Sequence, residues 1–129
     1  MREVVADTQA LVWHLVEPRK LGKSARRAFA AADSGRLLCH VPAIVLVELA
    51  LLSERGRIRL GVQQVLASLA AHSGYALLPL DVEQCLEFGA LIGIKDPMDR
   101  LVAAASRVVH ARLISSDAVF DPHVDRIWD

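Results

Sequence analysis

Apolar positions along this chain follow two alternating rhythms. A short run at residues 4–6 ends on Asp7, and residues 8–16 follow with Leu11, Val12 and Leu15 at helical spacing. That pattern predicts a strand, a junction at Asp7, and a helix. Pro18 and Gly22 interrupt it, and Ser24 is placed to cap a second helix to about Ala32, with Arg26 and Arg27 outward and Gly35 closing it. Residues 36–41 read as a second strand. Pro42 opens a long helix through Arg55, which Gly56 ends, and residues 62–71 form another with Val65, Leu66 and Leu69 on one face. A third strand is predicted over residues 75–80, and Asp81 with Gln84 three places on predicts a capping box for a helix to about Ala90. Asp96 and Pro97 then start a helix to about Ala111, with an acidic cap and a proline at the first helical position. Residues 112–115 make a fourth strand, Asp117 sits in the turn behind it, and residues 124–128 make a short fifth.

Strands alternating with helices build βαβ units and a mainly parallel sheet covered on both faces. The expected fold is therefore α/β, a three-layer αβα arrangement around a central sheet of about five strands. No repeat, linker or low-complexity stretch interrupts the pattern, so residues 1–129 are expected to form a single domain.

Composition narrows the function classes. The chain is 53% apolar and 23% charged, which excludes a disordered segment. Fifteen basic residues balance fifteen acidic ones, so there is no basic footprint of a protein that holds nucleic acid through bulk charge alone. A phosphate bridged through a metal ion is still allowed. Cys39 and Cys85 lie in apolar settings and are expected to be buried, reduced thiols, while the five histidines show no zinc-like spacing. The N-terminus enters a strand with no signal peptide, and no stretch is long enough to span a bilayer, so the expected location is cytoplasmic, away from the membrane.

The candidate chemistry is acidic. Asp7 follows the first strand, Asp117 follows the fourth, and Asp99 stands in the first turn of the helix that Asp96 caps. Glu48 is the one charged side chain between residues 41 and 52. Taken singly, each has an ordinary structural role: Asp7 as a helix cap, Asp117 as a turn residue, Asp99 as a first-turn carboxylate, Glu48 on a solvated stripe or paired with an arginine. Taken together at one end of a sheet they need a cation, because three or four carboxylates repel in one pocket. Oxygen donors without His or Cys select a hard ion, Mg²⁺ or Mn²⁺, and such ions at carboxylate clusters serve phosphodiester hydrolysis.

Four segments carry a resemblance: residues 5–13 (VADTQALVW), 47–50 (VELA), 96–101 (DPMDRL) and 113–117 (LISSD), with residues 78–80 and 126–128 also in accord. In that order and spacing the chain resembles the PIN-domain ribonucleases of the VapC toxin type, from bacterial toxin–antitoxin pairs. The resemblance implies a Mg²⁺-dependent (or Mn²⁺-dependent) endoribonuclease with the acidic quartet Asp7, Glu48, Asp99 and Asp117 as metal ligands and catalytic residues. Asp99 matches the third acid because Arg100, Leu101, Val102, Ala103 and Ala104 follow it as in the family pattern. Asp96 is then the cap and, with Thr8 and Ser115, one of the supporting groups beside the metal. The resemblance also implies an RNA substrate, a cognate antitoxin protein and a homodimer. The family often has His where this chain has Gln9, and commonly a Ser and a Trp before the second acid, where this chain has the apolar residues 43–47.

Three rival readings stand beside this one, two in other classes and one within the same enzyme class. A phosphorelay receiver needs an acidic pair after the first strand, an acceptor Asp after the third and a late Lys; this chain has Asp7 alone and Asp81 in a cap pattern. The others are a PIN nuclease used in RNA processing and a non-catalytic module that only sequesters RNA or a partner.

Overall fold

The computed structural model describes residues 2–129. Strands β1 (Glu3–Ala6), β2 (Leu38–Pro42), β3 (Tyr75–Leu78), β4 (Arg112–Ile114) and β5 (Arg126–Ile127) pair in parallel throughout, in the order β3-β2-β1-β4-β5. Helices α1 (Thr8–Val16), α2 (Lys23–Asp33), α3 (Ala43–Glu54), α4 (Val62–Ala70), α5 (Val82–Ala90) and α6 (Pro97–Val108) make the connections, with 3-10 turns at Pro18–Lys20 and Ala118–Phe120. Val4, Val5 and Ala6 are successive and all buried. Because neighbours on a strand point to opposite faces, both faces of the sheet are covered, which gives the three layers the pattern predicted.

β1 is the centre. It matches Val5 to His40 of β2 on one side and Val5 to Leu113 of β4 on the other. Leu11 and Phe29, from α1 and α2, are fully buried against this sheet together with Val41, Leu113 and Ile114. Ala103, Ala104 and Ala105 of α6 are likewise fully buried, and small side chains let that helix pack close.

Several local expectations shift. The strands are shorter than the apolar runs because only residues that pair across the ladder count, so β3 stops at Leu78 and β5 holds two residues. Ser24 is not a cap: Gly22 takes that position, and the Ser24 hydroxyl donates to the Asp129 carbonyl at 2.5 Å. The capping box at Asp81 is half made. Asp81 accepts the Gln84 N–H at 3.0 Å, but the buried Gln84 amide donates to the Pro79 carbonyl at 2.8 Å instead of turning back. Helix α6 ends at Val108, short of Ala111, and His110 follows at φ 55°. Cys39 is buried as expected, whereas Cys85 is exposed, because α5 turns that face to solvent.

Helix α3 ends as its sequence predicts. Gly56 sits at φ 69°, where a side chain would be strained, and the Arg57 and Gly56 N–H groups donate to the Leu52 and Ser53 carbonyls at 2.9 and 3.1 Å. Replacing Leu11 by Ala removes a fully buried side chain between α1 and the sheet. Urea unfolding is expected to read a loss of about 2–5 kcal/mol.

Candidate active site

The chain passes from β1 to β2 and β3 on one side of the sheet and returns to β4 and β5 on the other. The gap between the carboxyl ends of β1 and β4 is therefore a topological switch point, where open α/β sheets leave a crevice. Asp7 leaves β1 there, and its N–H still donates to the Ile114 carbonyl of β4 at 3.2 Å. Its carboxylate Oδ1 accepts the Ala10 N–H at 2.8 Å and so caps α1. The cap and the crevice are not alternatives: one residue occupies both.

Ser115, the first residue after β4, is fully buried. Its Oγ accepts the Asp117 N–H at 3.0 Å, and its hydroxyl hydrogen-bonds the Asp7 carboxylate. One hydroxyl thus ties the two strand-end acids together. The Asp117 carboxylate accepts the Val119 N–H at 3.0 Å, capping the turn at Ala118–Phe120.

Glu48, in the second turn of α3, is half-buried and accepts a short hydrogen bond from the Thr8 hydroxyl. Among the described residues it pairs with no arginine, so the lone acid of this apolar helix is matched by a buried threonine from α1. Asp96 caps α6 by accepting the Asp99 N–H at 3.0 Å, and it is Asp99 that reaches the crevice.

Asp7, Thr8, Glu48, Asp99 and Asp117 line one cleft of about 510 Å³, with Gln9, Leu52 and Val102 completing its walls. Leu52 and Val102 were not singled out from the sequence, although they lie four residues after Glu48 and three after Asp99, on the same helical stripes. A third residue missed was Arg126. Its guanidinium donates to both oxygens of Asp121 at 2.7 and 3.2 Å and to the Ser115 carbonyl at 3.0 Å. It clamps the loop that carries Asp117 to the two-residue strand β5.

The four acids feel one another. Burial, above all, pushes the Asp7 carboxyl up to about 6, against the Ser115 and Ala10 hydrogen bonds that hold it down, with Glu48 and Asp117 adding to the rise. Burial again leads in raising Asp99 to about 6, followed by the charges of Asp96, Asp117, Glu48 and Asp7. Among the described residues, no group of three His, Cys, Asp or Glu side chains converges into a ready coordination sphere. The donor set nevertheless suits a hard cation that keeps much of its water, since only oxygen donors face the cleft and their mutual repulsion is what a cation relieves.

This combination, an acidic cleft at the switch point of an all-parallel α/β sheet, defines the class of fold. Residues 4–123 match the PIN domain family, and the chain belongs to it. Direct comparison with curated protein sequences gives no match. Among solved structures, the chain is similar to VapBC2 from Rickettsia felis bound to a DNA fragment from its promoter, with a TM-score of 0.74 and 17% identity over 98% of this chain and 99% of that one. It is similar also to DNA-bound VapBC from Salmonella typhimurium, with a TM-score of 0.70 and 17% identity over 98% and 97% of the two chains. A third is VapC20 from Mycobacterium tuberculosis, described as a sarcin–ricin loop cleaving toxin, with a TM-score of 0.62 and 16% identity over 92% and 93%.

The raised Asp7 carboxyl makes a stability prediction with a definite sign. The folded chain holds this proton up to about pH 6 and the unfolded chain only to the model-peptide value of 3.8. Folding therefore takes up a proton between those limits, and this contribution to stability falls as pH rises through them. In the absence of divalent ions, Asp7→Asn, which keeps the cap, is expected to stabilise the fold at pH 7 by up to about 3 kcal/mol and by much less at pH 4. Urea titrations of both chains at the two pH values check this; an equal difference at both would contradict it.

Proposed function

We propose that this chain is a Mg²⁺- or Mn²⁺-dependent endoribonuclease, the toxin of a type II toxin–antitoxin pair, with Asp7, Glu48, Asp99 and Asp117 as its metal ligands and catalytic acids. The observation that carries the reading is convergence: four acids from four separate segments share one cleft, and hydrogen bonds orient three of their carboxylates, those of Asp7, Glu48 and Asp117. Membership of the PIN domain family and the likeness to VapBC and VapC structures support it.

A bound Mg²⁺ or Mn²⁺ supplies Lewis-acid stabilisation of the phosphate oxygens and lowers the pKa of an attacking water. The chain's own part is placement. The Ser115 hydroxyl and the Ala10 N–H fix the Asp7 carboxylate, and the Thr8 hydroxyl fixes Glu48. Asp99 is carried on the first turn of α6, where Asp96 secures the helix start. Leu52 and Val102 give the cleft an apolar wall that limits water on that side.

The partners follow from the same reading. The substrate is RNA, and a cognate antitoxin protein restrains the enzyme, a reading supported by the likeness to VapBC structures and to a toxin–antitoxin complex from Klebsiella pneumoniae. The chain forms a homodimer, for which the exposed Val82 and Leu86, one turn apart on α5, offer apolar surface. It acts in the cytoplasm; among the described residues no helix is long and apolar enough to cross a membrane.

The purified protein is expected to cleave single-stranded RNA with Mg²⁺ or Mn²⁺ and to lose that activity in excess EDTA. Asp99→Asn is expected to abolish cleavage with an unchanged circular dichroism spectrum, whereas Asp96→Asn should retain activity and cost about 1 kcal/mol or less, since Asn also caps. Full activity of Asp99→Asn, or in EDTA, would refute the mechanism. Calorimetry near pH 6 is expected to show protons released as Mg²⁺ binds, because Asp7 and Asp99 are partly protonated there.

A further inference from the structure

The cleft gathers acids, yet its proposed substrate is a polyanion, so the backbone on either side of the cut bond needs cations that the cleft does not hold. The end of α3 provides them. Glu48, Leu52 and Arg55 stand at i, i+4 and i+7, which places them on one stripe of the helix. Glu48 and Leu52 both line the cleft, and Arg55 continues the stripe about 10 Å beyond Glu48 at 1.5 Å per residue.

The chain then turns at Gly56 and runs on with alternating exposure. Ile58 and Leu60 are half-buried and pack against the core, while Arg57 and Arg59 are exposed between them. An alternation of this kind holds the two arginines on the solvent side of an anchored segment. Residues 54–60 carry three arginines against the single acid Glu54. Among the described residues, the side chains of Arg55, Arg57 and Arg59 form no ion pair. Four arginines elsewhere are engaged, Arg100 with the Ile94 carbonyl, Arg107 with Glu87, Arg112 with the Arg126 carbonyl and Arg126 with Asp121, while Arg2, Arg19 and Arg27 form no ion pair among the described residues.

We propose that Arg55, Arg57 and Arg59 form a cationic rim that binds the phosphates of single-stranded RNA next to the scissile bond. The inference rests on the proposed ribonuclease reading and names where the strand runs outside the cleft. Arg55 stands about 10 Å along the helix from Glu48, about one Debye length at 0.1 M salt, so its charge partly offsets the acids' repulsion of the incoming strand. Arginine also suits the task because its planar fork pairs with phosphate oxygens two at a time.

The test measures binding, not turnover. In the Asp99→Asn background, the affinity of a fluorescent single-stranded oligoribonucleotide is followed by anisotropy against salt concentration. Two chains are compared with that background, one with all three arginines changed to Ser and one with all three changed to Lys. Three lost phosphate contacts are expected to make the slope of log K against log salt shallower by about 2, and to weaken binding roughly a hundredfold at about 0.1 M salt. The lysine chain is expected to keep the slope, and thermal unfolding is expected to be unchanged in both. An unchanged slope in the serine chain overturns the proposal and leaves the rim to a protein partner. So does a lysine chain that loses the slope as the serine chain does. Cleavage by the chain with all acids intact is scored separately, so a failure to cut RNA with the slope difference present counts against the nuclease reading alone.

Discussion

The pairing of β1 with β4 is the constraint on which the rest depends. The ladder sets Val5 against Leu113 and Ala6 against Ile114, and the Asp7 N–H extends it by one more hydrogen bond to the Ile114 carbonyl. These two strands are far apart in sequence and neighbours only because the chain reverses direction across the sheet after β3. Their carboxyl ends deliver Asp7 and Ser115 side by side, and the buried Ser115 hydroxyl then joins Asp7 to the backbone of Asp117. A shift of one residue in this register would turn Asp7 and Ser115 to opposite faces. The apolar residues on both sides, Val4, Val5, Leu113 and Ile114, are all buried, and that burial fixes the register.

The acids assembled in this way cost the fold stability. Asp7 and Asp99 hold their protons well above the usual carboxylate range, chiefly because they are buried and in part because Glu48 and Asp117 face them. The chain bears this strain with local hydrogen bonds: Thr8 to Glu48, Ala10 and Ser115 to Asp7, Val119 to Asp117. The same bonds hold three of the four carboxylates in place, which is the arrangement a site needs if its ligands are to be ready before a cation arrives. Stability given up at the cleft is the usual mark of a site kept for function.

A contrasting polar group lies away from the cleft. Asp33 at the end of α2 accepts the Tyr75 hydroxyl at 2.5 Å and lies 3.3 Å from His14, whose ring stacks 4.4 Å from Phe29. Here an acid meets the Tyr75 hydroxyl from β3 beside the His14 ring from α1, and burial together with Asp33 pushes the tyrosine hydroxyl up. This network fastens two helices to the edge of the sheet. Its partners satisfy one another, whereas the four acids of the cleft repel one another and, among the described residues, pair with no cationic side chain.

Much of the architecture was legible in the residues themselves. The strand–helix alternation, the caps at Asp7, Asp81 and Asp96, the proline start of α6 and the glycine stop of α3 are local signals, and each element formed where its signal stood. The resemblance carried the four acids as a set, but every one also has a local reading, and no spacing in the chain distinguishes a cap from a ligand. Tertiary structure decided what sequence periodicity could not. It placed Asp7 and Asp117 across one ladder, gave Glu48 a threonine in place of an arginine, and left Asp96 outside the cleft while Asp99 lines it. It also turned Cys85 to solvent, sent the Gln84 amide to Pro79, and recruited Arg126 to clamp the Asp117 loop. Local signals act over one helical turn, whereas these contacts join residues tens of positions apart, and only the order of strands in the sheet brings them together.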